Sequence, residues 1–314
     1  MLNSLSISAK FDREGFLVIE NALTQDEVDY YLNAIDEPTA SDLTYKESEF
    51  YGPQNVVTRY PVLAELIDHP RHVGFGHDIY GELLKLHISQ VFLRPHDSSH
   101  NAWCPYGTRA VPYGVFSPIL PMGIKIGYWL TDLPAAKMGT FVCMPVSHRL
   151  QYFEGYRTRE SMPGERVLCC KARTMTILHC DTWYRVDPNE SDVVRKNIFL
   201  AYCPSWVCEA DRVQCDSEWL ETPNREQRII MRSRHSYART KPPKADFPLF
   251  LERETGADSD ADFFPDIVPP HFSFGNIRIF HQIKRAGEKA RELKVIGNQI
   301  SAFIYPPSTF ICFT

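Results

Sequence analysis

The sequence predicts an α+β fold in which a few N-terminal helices precede a mainly β core. Up to about residue 84 the apolar residues recur at helical spacing, and from residue 85 the chain breaks into short β-rich runs punctuated by Pro, Gly, Asn and Asp. The hydrophobic share of 44% is sufficient for a substantial buried core. We therefore expect one domain over 1–314, with its core at about 10–240 and a C-terminal extension at about 240–314.

The N-terminal part contains the helical signals. Residues 11–23 predict a polar turn followed by a short strand. Thr24 and Glu27 have the spacing of a capping box, in which each side chain accepts a hydrogen bond from the backbone of the other residue. Further helices are predicted over 61–67 and 70–84.

The remainder of the chain predicts strands, a long loop and a late helix. Residues 239–270 are rich in Pro and Asp, which favours a long loop, and the basic pattern at 275–295 predicts a surface helix. The strands are expected to form a sandwich or barrel. They are predicted over 86–93, 124–130, 140–144, 166–170, 174–178 and 197–203.

Composition excludes several classes of protein. The chain has 34 Lys and Arg against 39 Asp and Glu, so it lacks the basic excess that nucleic-acid binding requires. Its apolar runs are far shorter than the roughly 20 residues of a membrane span. The first residues lack the apolar centre of a secretion signal, and the odd number of nine cysteines is typical of reduced thiols, so we expect a cytoplasmic protein. Cys169 and Cys170 should point to opposite faces of a strand.

Three sequence blocks indicate a family. They are FDREGFLVIENALTQDEVD at 11–29, GYWLTDLPAAKMGTFVCMPVSHR at 127–149, and MTILHCDTWYRVDPNESDVVRKNIFLAYCP at 175–204. In this order they resemble the phytanoyl-CoA dioxygenase-like family of iron(II)/2-oxoglutarate oxygenases. The tail after residue 235 is similar to the branch found in fungal terpenoid and meroterpenoid pathways. The resemblance implies a double-stranded β-helix (jelly roll) with helices packed on one side, and a role in secondary metabolism.

Members of that family hold iron with two histidines and one carboxylate, which leaves the opposite face of the metal for 2-oxoglutarate and oxygen. The first two ligands form a His-x-Asp pair on one strand, because residues i and i+2 project to the same side. The last histidine stands five residues before an Asn in a turn. Here Asn189 matches that Asn, which places Tyr184 at the histidine position. His100 begins the best match to His-x-Asp, and Ala102 stands at the carboxylate position.

The resemblance also implies a 2-oxoglutarate site. Arg195 matches the family arginine that pairs with the far carboxylate of 2-oxoglutarate, a task suited to a planar guanidinium, and Thr140 matches a second contact. His148 matches a position that is usually structural. An alternative ligand set combines His100 with His179 and Asp181, although His179 is expected to lie inside a strand and to be satisfied by hydrogen bonds.

The departures at Ala102 and Tyr184 favour a pseudo-enzyme that binds no metal or cofactor itself. We expect it to pair with an active paralogous oxygenase, which would hold Fe(II) and 2-oxoglutarate, or with a second copy of itself. Two alternatives stay open. One is an active oxygenase that uses the alternative ligands. The other is a redox-neutral isomerase or cyclase in which Tyr184 and His100 act as acid and base. A halogenase, in which chloride replaces the carboxylate, would still need the histidine that Tyr184 replaces.

Overall fold

The computed structural model describes residues 4–98, 102–105, 117, 120–149, 158–207, 215, 217–233 and 241–251, with side chains from residue 8 onward. These residues belong to the compact unit Met1–Pro270. The predicted helix at 275–295, most of the predicted loop at 239–270 and His100 lie outside the described residues. The part of the predicted loop that is described, 241–251, has one short 3-10 turn at Lys244–Asp246.

Most helices of the described part precede the first long strand. The predicted capping box is present at the start of the longest helix: the Thr24 hydroxyl accepts the Glu27 N–H at 3.2 Å, and the Glu27 carboxylate accepts the Thr24 N–H at 2.7 Å. These bonds satisfy backbone donors that a helix start leaves unpaired. The helices are α1 Ser4–Glu14, α2 Gln25–Ser41, α3 Val56–Arg59, α4 Pro61–Ala64, α5 Pro70–Tyr80 and α6 Arg225–Met231.

The strands form two antiparallel sheets. Their bounds are β1 Phe16–Ile19, β2 Leu84–Arg94, β3 Cys104–Pro105, β4 Ile124–Trp129, β5 Phe141–Cys143, β6 Arg166–Leu168, β7 Met175–His179, β8 Trp183–Val186 and β9 Arg195–Pro204. The larger sheet has the order β1-β7-β4-β9-β2 and the smaller has the order β3-β8-β5-β6. Because the chain passes repeatedly from one sheet to the other, the arrangement is a jelly roll, as the fold prediction requires.

The space between the two sheets is filled by aromatic rings. Phe141 of the small sheet stacks on Phe199 of the large sheet, with ring centroids 5.2 Å apart and an interplanar angle of 11°. Trp129 meets Phe141 edge-on at 5.4 Å. All three side chains are buried, and burial of each large apolar side chain stabilises the fold by roughly 2–3 kcal/mol. This contact fixes the distance between the sheets on the side where the candidate site lies.

Helix α5 packs on the outer face of the large sheet through a buried polar contact. His72 lies between two tyrosines, with Nδ1 2.6 Å from the Tyr128 hydroxyl and Nε2 2.7 Å from the Tyr202 hydroxyl. The Tyr202 hydroxyl donates to the Ile67 carbonyl at 2.9 Å, so it accepts its other hydrogen bond from His72 Nε2. The helices therefore cover one face of the large sheet and leave the other face to the interior.

Several predicted boundaries differ from the structure. The helix predicted over 70–84 ends at Tyr80, because Gly81 has φ 55°, and the chain enters β2 at Leu84. The predicted polar turn after residue 11 is the end of α1, which stops at Gly15 with φ 84°. A Cβ on Gly15 would lie 2.4 Å from His148 Nδ1, so only glycine fits there.

Strand β8 was absent from the predicted strands. It has only four residues, and the charged Arg185 interrupts its apolar run, so it lacks the longer apolar run that identified the other buried strands. Other predictions are consistent with the structure. Cys169 is exposed and Cys170 is buried, as predicted, although both residues follow β6, which ends at Leu168. Across the described residues, no helix combines the length and the apolar character needed to cross a membrane.

Candidate functional site

The predicted distal-ligand position lies in the small sheet. Tyr184 belongs to β8, where it pairs with Cys143 of β5 on one side and Cys104 of β3 on the other. Its side chain is buried and packs against Phe141, with ring centroids 5.0 Å apart and an interplanar angle of 30°. The phenol is therefore a part of the packed interior between the sheets.

The predicted carboxylate position is close to Tyr184 in the strand register. Ala102 is half-buried and stands two residues before Cys104, the residue that pairs with Tyr184. The fold therefore brings the segment of Ala102 to the edge of β8, although it offers a methyl group there. His100, the remaining position of the predicted triad, lies outside the described residues, so its assignment stays a prediction.

Asn189 organises the turn between β8 and β9. Its Nδ2 donates to the carbonyls of Arg94 and Val193, both at 2.8 Å, and its Oδ1 accepts from Ser191. The side chain is completely buried. By holding the ends of β2 and β9 together, Asn189 sets where the first residue of β9 projects, and that residue is Arg195.

The Arg195 side chain is fully buried between the two sheets. Its Nε donates to Asn197 Oδ1 at 2.8 Å and its Nη1 donates to the Gly139 carbonyl, while its Nη2 has no hydrogen-bond partner among the described residues. The guanidinium carbon lies 5.1 Å from the ring centre of Trp129 and 5.3 Å from that of Phe141. Burial, followed by the neighbouring charge of Arg94, lowers the pKa of Arg195 well below its ordinary value.

Arg94 is the second guanidinium at this place. Its Cα pairs with that of Arg195 across β2 and β9. Gly139, at φ 68°, lies against both side chains, because a Cβ there would stand 3.3 Å from Cδ of Arg195 and 3.6 Å from Cδ of Arg94. Burial lowers the pKa of Arg94 to about 10, and Tyr184 opposes that shift. Two buried cations thus lie side by side near the Tyr184 phenol.

Thr140 is also buried beside this site, but its hydroxyl is committed elsewhere. It donates to Asp187 Oδ2 at 3.2 Å, and Asp187 is ion-paired with Arg185. The predicted role of Thr140 in binding 2-oxoglutarate would require that bond to be exchanged, and it stays a prediction.

A second cluster lies at the end of β7. His179 Nδ1 accepts the Asp181 N–H at 3.1 Å and stands 4.0 Å from Cys180 Sγ and 3.8 Å from Asp181 Oδ2. Burial, with the nearby His148, lowers the pKa of His179 to about 3, and burial raises the pKa of Asp181 to about 6. Within the described ranges, these three residues are the one set of His, Cys, Asp or Glu side chains close enough to share a metal ion.

His148 has the structural contact expected of it. Its Nε2 lies 2.9 Å from the Asp12 carbonyl, and its ring centroid lies 4.9 Å from that of His179. Burial lowers the pKa of His148. The residue therefore connects the end of α1 to the β core.

The residues at the predicted triad do not fit iron. Tyr184 offers a phenol that ionises near pH 10, and Ala102 offers no donor atom at all. The Tyr184 ring is packed against Phe141, so the position is filled by an aromatic contact. A facial set of two histidines and one carboxylate cannot be assembled from the described residues at this place.

Sequence reasoning missed Arg94, Asn197 and Gly139. Asn197 could have been found from its spacing. It stands two residues after Arg195, and residues i and i+2 of a strand lie on the same face. Arg94 could not have been found, because only the pairing of β2 with β9 brings it next to Arg195.

Comparisons with known proteins agree with the fold. No protein-family model matches the chain, and no curated protein matches it. Among solved structures, the non-heme alpha-ketoglutarate-dependent epimerase SnoN from nogalamycin biosynthesis is 18% identical, with a TM-score of 0.55 over 70% of this chain and 90% of its own. HygX from Streptomyces hygroscopicus, with nickel and 2-oxoglutarate bound, is 18% identical over 64% of this chain and 86% of its own, with a TM-score of 0.53. EctD from S. alaskensis, with 2-oxoglutarate and 5-hydroxyectoine, is 20% identical over 63% of this chain and 75% of its own. Its TM-score is also 0.53. The chain therefore has the jelly-roll fold of 2-oxoglutarate-dependent oxygenases.

Proposed function

We propose that this chain is a non-catalytic subunit with the oxygenase fold, which pairs with an active paralogous oxygenase and stabilises it. The observation that carries the proposal is Tyr184. It stands five residues before the turn Asn189, where an oxygenase of the resembled family has its last histidine, and its ring is buried against Phe141.

The loss of metal affinity follows from the side chains present. A change to a residue that merely supports a ligand lowers metal affinity by about 10- to 100-fold. Replacement of two direct ligands by Ala102 and Tyr184 should cost considerably more. The reaction of the family, which needs iron to activate oxygen, is then not available at this place.

The scaffold around the site is nevertheless intact. Asn189 still ties β2 to β9, and Trp129, Phe141 and Phe199 still fill the space between the sheets. A chain that keeps the fold without the metal can act through its surface. Pairing with an active paralogue would place such a surface beside a working active site, and a stable interface of this kind buries on the order of 1,600 Å² or more.

Two of the similar structures support a class of pathway. SnoN and the carbocyclase SnoK, which is 18% identical at a TM-score of 0.52 over 68% of this chain, both come from nogalamycin biosynthesis. Together with the resemblance of the tail, this favours a role in natural-product biosynthesis, with terpenoid or meroterpenoid substrates handled by the partner.

The test is co-expression with a paralogous oxygenase from the same source. We expect a 1:1 complex on size-exclusion chromatography, iron in one subunit per complex, and a more soluble or more active partner. A partner variant that lacks its own iron ligands must abolish turnover of the complex, since this chain contributes none. If the paralogue alone is equally soluble, dimeric and active, the proposal is wrong.

A second candidate function has one observation in its favour. His179, Cys180 and Asp181 place three ligand atoms within 4.8 Å of one another, so an oxygenase with an unusual metal site could be built on them. Anaerobic purification with ferrous salt should then give stoichiometric iron and succinate formation from 2-oxoglutarate. Asp181→Asn should abolish both, while the exposed Asp192→Asn should change neither.

A further inference from the structure

The turn between β7 and β8 contains three adjacent side chains of the types that bind metals. His179 ends β7, and Cys180 and Asp181 follow it. The His179 Nδ1 lies 4.0 Å from Cys180 Sγ and 3.8 Å from Asp181 Oδ2, and the three ligand atoms all lie within 4.8 Å of one another. Around a tetrahedral zinc ion, with bonds of about 2.0–2.3 Å, such atoms stand about 3.3–3.6 Å apart. A shift of less than about 1 Å in each side chain would close the difference.

The Asp181 carboxylate has an unused acceptor at this place. Its Oδ2 is buried and has no hydrogen-bond partner among the described residues, where the nearest group that could form an ion pair is the imidazole of His179. Burial, followed by the charge of His148, lowers the pKa of His179 to about 3, so that ring is neutral and supplies no counter-charge. A buried acceptor that stays unpaired costs free energy, and a cation would satisfy it.

The Cys180 sulfur is fully buried next to that carboxylate. Burial, followed by the charge of Asp181, raises the pKa of the thiol well above its ordinary value, and hydrogen bonds from the backbone of Gly123 and Met122 oppose that shift. The thiol donates to the Asp181 carboxylate. A metal ion in place of this proton would convert the sulfur to the thiolate, which is the form that binds metal and that the two backbone donors favour.

The imidazole of His179 already has the state that a metal requires. Its Nδ1 accepts the Asp181 N–H at 3.1 Å, so this nitrogen carries a lone pair and no proton, and a metal would take the place of that N–H. The backbone of the turn is held to the end of α1. The His179 N–H and the Thr182 hydroxyl both donate to the Gly15 carbonyl at 2.8 Å.

The donor set decides which metal fits. One thiolate, one imidazole and one carboxylate are typical of zinc, whereas magnesium and calcium are bound by oxygen ligands. The two negative charges of the thiolate and the carboxylate balance the two positive charges of zinc, so the buried site would be neutral. The Asp181 side chain is 17% exposed, which lets water reach a fourth coordination position. Zinc has no redox chemistry, so this site differs from the iron centre of the second candidate function.

We propose that His179, Cys180 and Asp181 bind one zinc ion with water in the fourth position, and that the ion stabilises the turn between β7 and β8 against the end of α1. Zinc takes the place of the thiol proton of Cys180, which is released to solvent. The site is independent of the predicted triad at Tyr184 and of pairing with a paralogue.

The experiment removes metal from the full chain with a chelator and titrates the protein with zinc sulfate against a chromophoric competitor. We expect one zinc ion per chain and a rise in Tm of roughly 5 °C at a concentration of about 100 times Kd. Cobalt(II) in place of zinc should give a thiolate-to-cobalt charge-transfer band, which reports the bond to Cys180 directly. Hydrogen exchange at residues 179–182 should slow when zinc binds.

Two variants identify the ligands. Cys180→Ser and Asp181→Asn should each weaken zinc binding by more than about 100-fold, because each removes a direct ligand, and Cys180→Ser should also remove the charge-transfer band. The matched controls are the exposed Cys169→Ser and Asp192→Asn, which should bind zinc as tightly as the parent chain does. Because Cys180 is fully buried, Asp181→Asn alone decides the outcome if Cys180→Ser does not fold.

Three results would overturn the inference. The first is a chain that retains no zinc, and the second is zinc that binds Asp181→Asn as tightly as it binds the parent chain. The third is ferrous ion that displaces zinc and supports succinate formation from 2-oxoglutarate, which would establish the second candidate function instead. Failure of the proposed function is distinguishable from these. A chain that binds zinc but does not pair with a paralogue contradicts the pairing alone, and a paired chain without zinc contradicts the zinc site alone.

Discussion

Arg185 of β8 and Arg195 of β9 are both buried, but they lie in different sheets and have different partners. Arg185 forms ion pairs with Asp187 and with Glu165, the latter at 2.8 Å, whereas Arg195 has a backbone carbonyl and an amide oxygen. Burial lowers the pKa of Arg185, but the two carboxylates outweigh it and the net shift is upward; the pKa of Arg195 is shifted downward. Arg185 is therefore neutralised by carboxylates of the chain, whereas the acceptors of Arg195 are two uncharged oxygens.

The alternation of side chains along β8 explains the contrast. Tyr184 and Arg185 are adjacent, so they project to opposite faces of the small sheet. Tyr184 points to the space between the sheets, where it contacts Phe141 and influences Arg94 and Arg195. The ion pairs of Arg185 therefore lie on one face of β8, and the Arg195 site lies on the side of its other face.

The largest expected effect tests this contrast directly. Arg185→Gln should lower the free energy of unfolding by about 3 kcal/mol, because it leaves two largely buried carboxylates without their partner. Arg195→Gln should cost far less, since it removes a buried charge that has no carboxylate partner among the described residues. An equal loss of unfolding free energy in the two variants would show that Arg195 is as well paired within the chain as Arg185.

The second prediction converts the Tyr184 side of β8 into a metal site. Ala102→Asp combined with Tyr184→His should raise Fe(II) affinity more than 100-fold over the parent chain, because both missing ligands are restored. Each single variant should bind little iron, since ligands that act together are not additive. Anaerobic calorimetry and metal analysis are the measurements. Ala136→Asp with Tyr30→His, at exposed positions, is the control, and no gain in the Ala102/Tyr184 variant would mean that the site is misplaced.

A third prediction uses a buried group that can lose its charge, which Arg195 cannot. The pKa of His179 is lowered to about 3, so the stability that its neutral form contributes is complete above the unfolded pKa near 6.5 and is lost as pH falls toward 3. Below about pH 6.5, His179→Gln should therefore reduce the slope of the free energy of unfolding against pH by up to about 1.4 kcal/mol per pH unit. Asp181, whose pKa is raised to about 6, has the opposite effect: between about pH 4 and 6 its contribution to stability falls as pH rises.

The measurement for His179 is urea unfolding at a series of pH values from 7 to 4. His96→Gln, at an exposed position, is the control and should leave the slope unchanged. An identical slope in His179→Gln and the parent chain would indicate that His179 has the same pKa in the folded and unfolded states.

The smallest expected effect concerns the Tyr184 hydroxyl. Tyr184→Phe keeps the ring contact with Phe141 but removes the phenol oxygen that favours the charged forms of Arg94 and Arg195. We expect a loss of about 1 kcal/mol in the free energy of unfolding. The exposed Tyr30→Phe, which loses a 3.3 Å contact with Glu65, should change stability by less than about 0.5 kcal/mol. A neutral result at Tyr184 would show that its oxygen does not stabilise the two cations.

Part of the fold could be predicted because its signals are local. The capping box of Thr24 and Glu27 needs only the spacing of two residues, and β4, β5, β7 and β9 are apolar runs bounded by turn residues. Strand β8 could not be predicted, because it has only four residues and the charged Arg185 interrupts its apolar run. Its position depends on pairing with β3 and β5, which are distant in sequence.

The sequence by itself determined which side chains are available: a tyrosine and an alanine at two predicted ligand positions, and an arginine six residues after a turn asparagine. These are facts of residue identity, and they limit the chemistry before any folding. The tertiary structure decided which of them meet. The pairing of β2 with β9 places Arg94 beside Arg195. Along β8, the side chains alternate, so Arg185 meets its carboxylates while Tyr184 faces the interior. These contacts join distant strands and depend on their register, which no local pattern encodes.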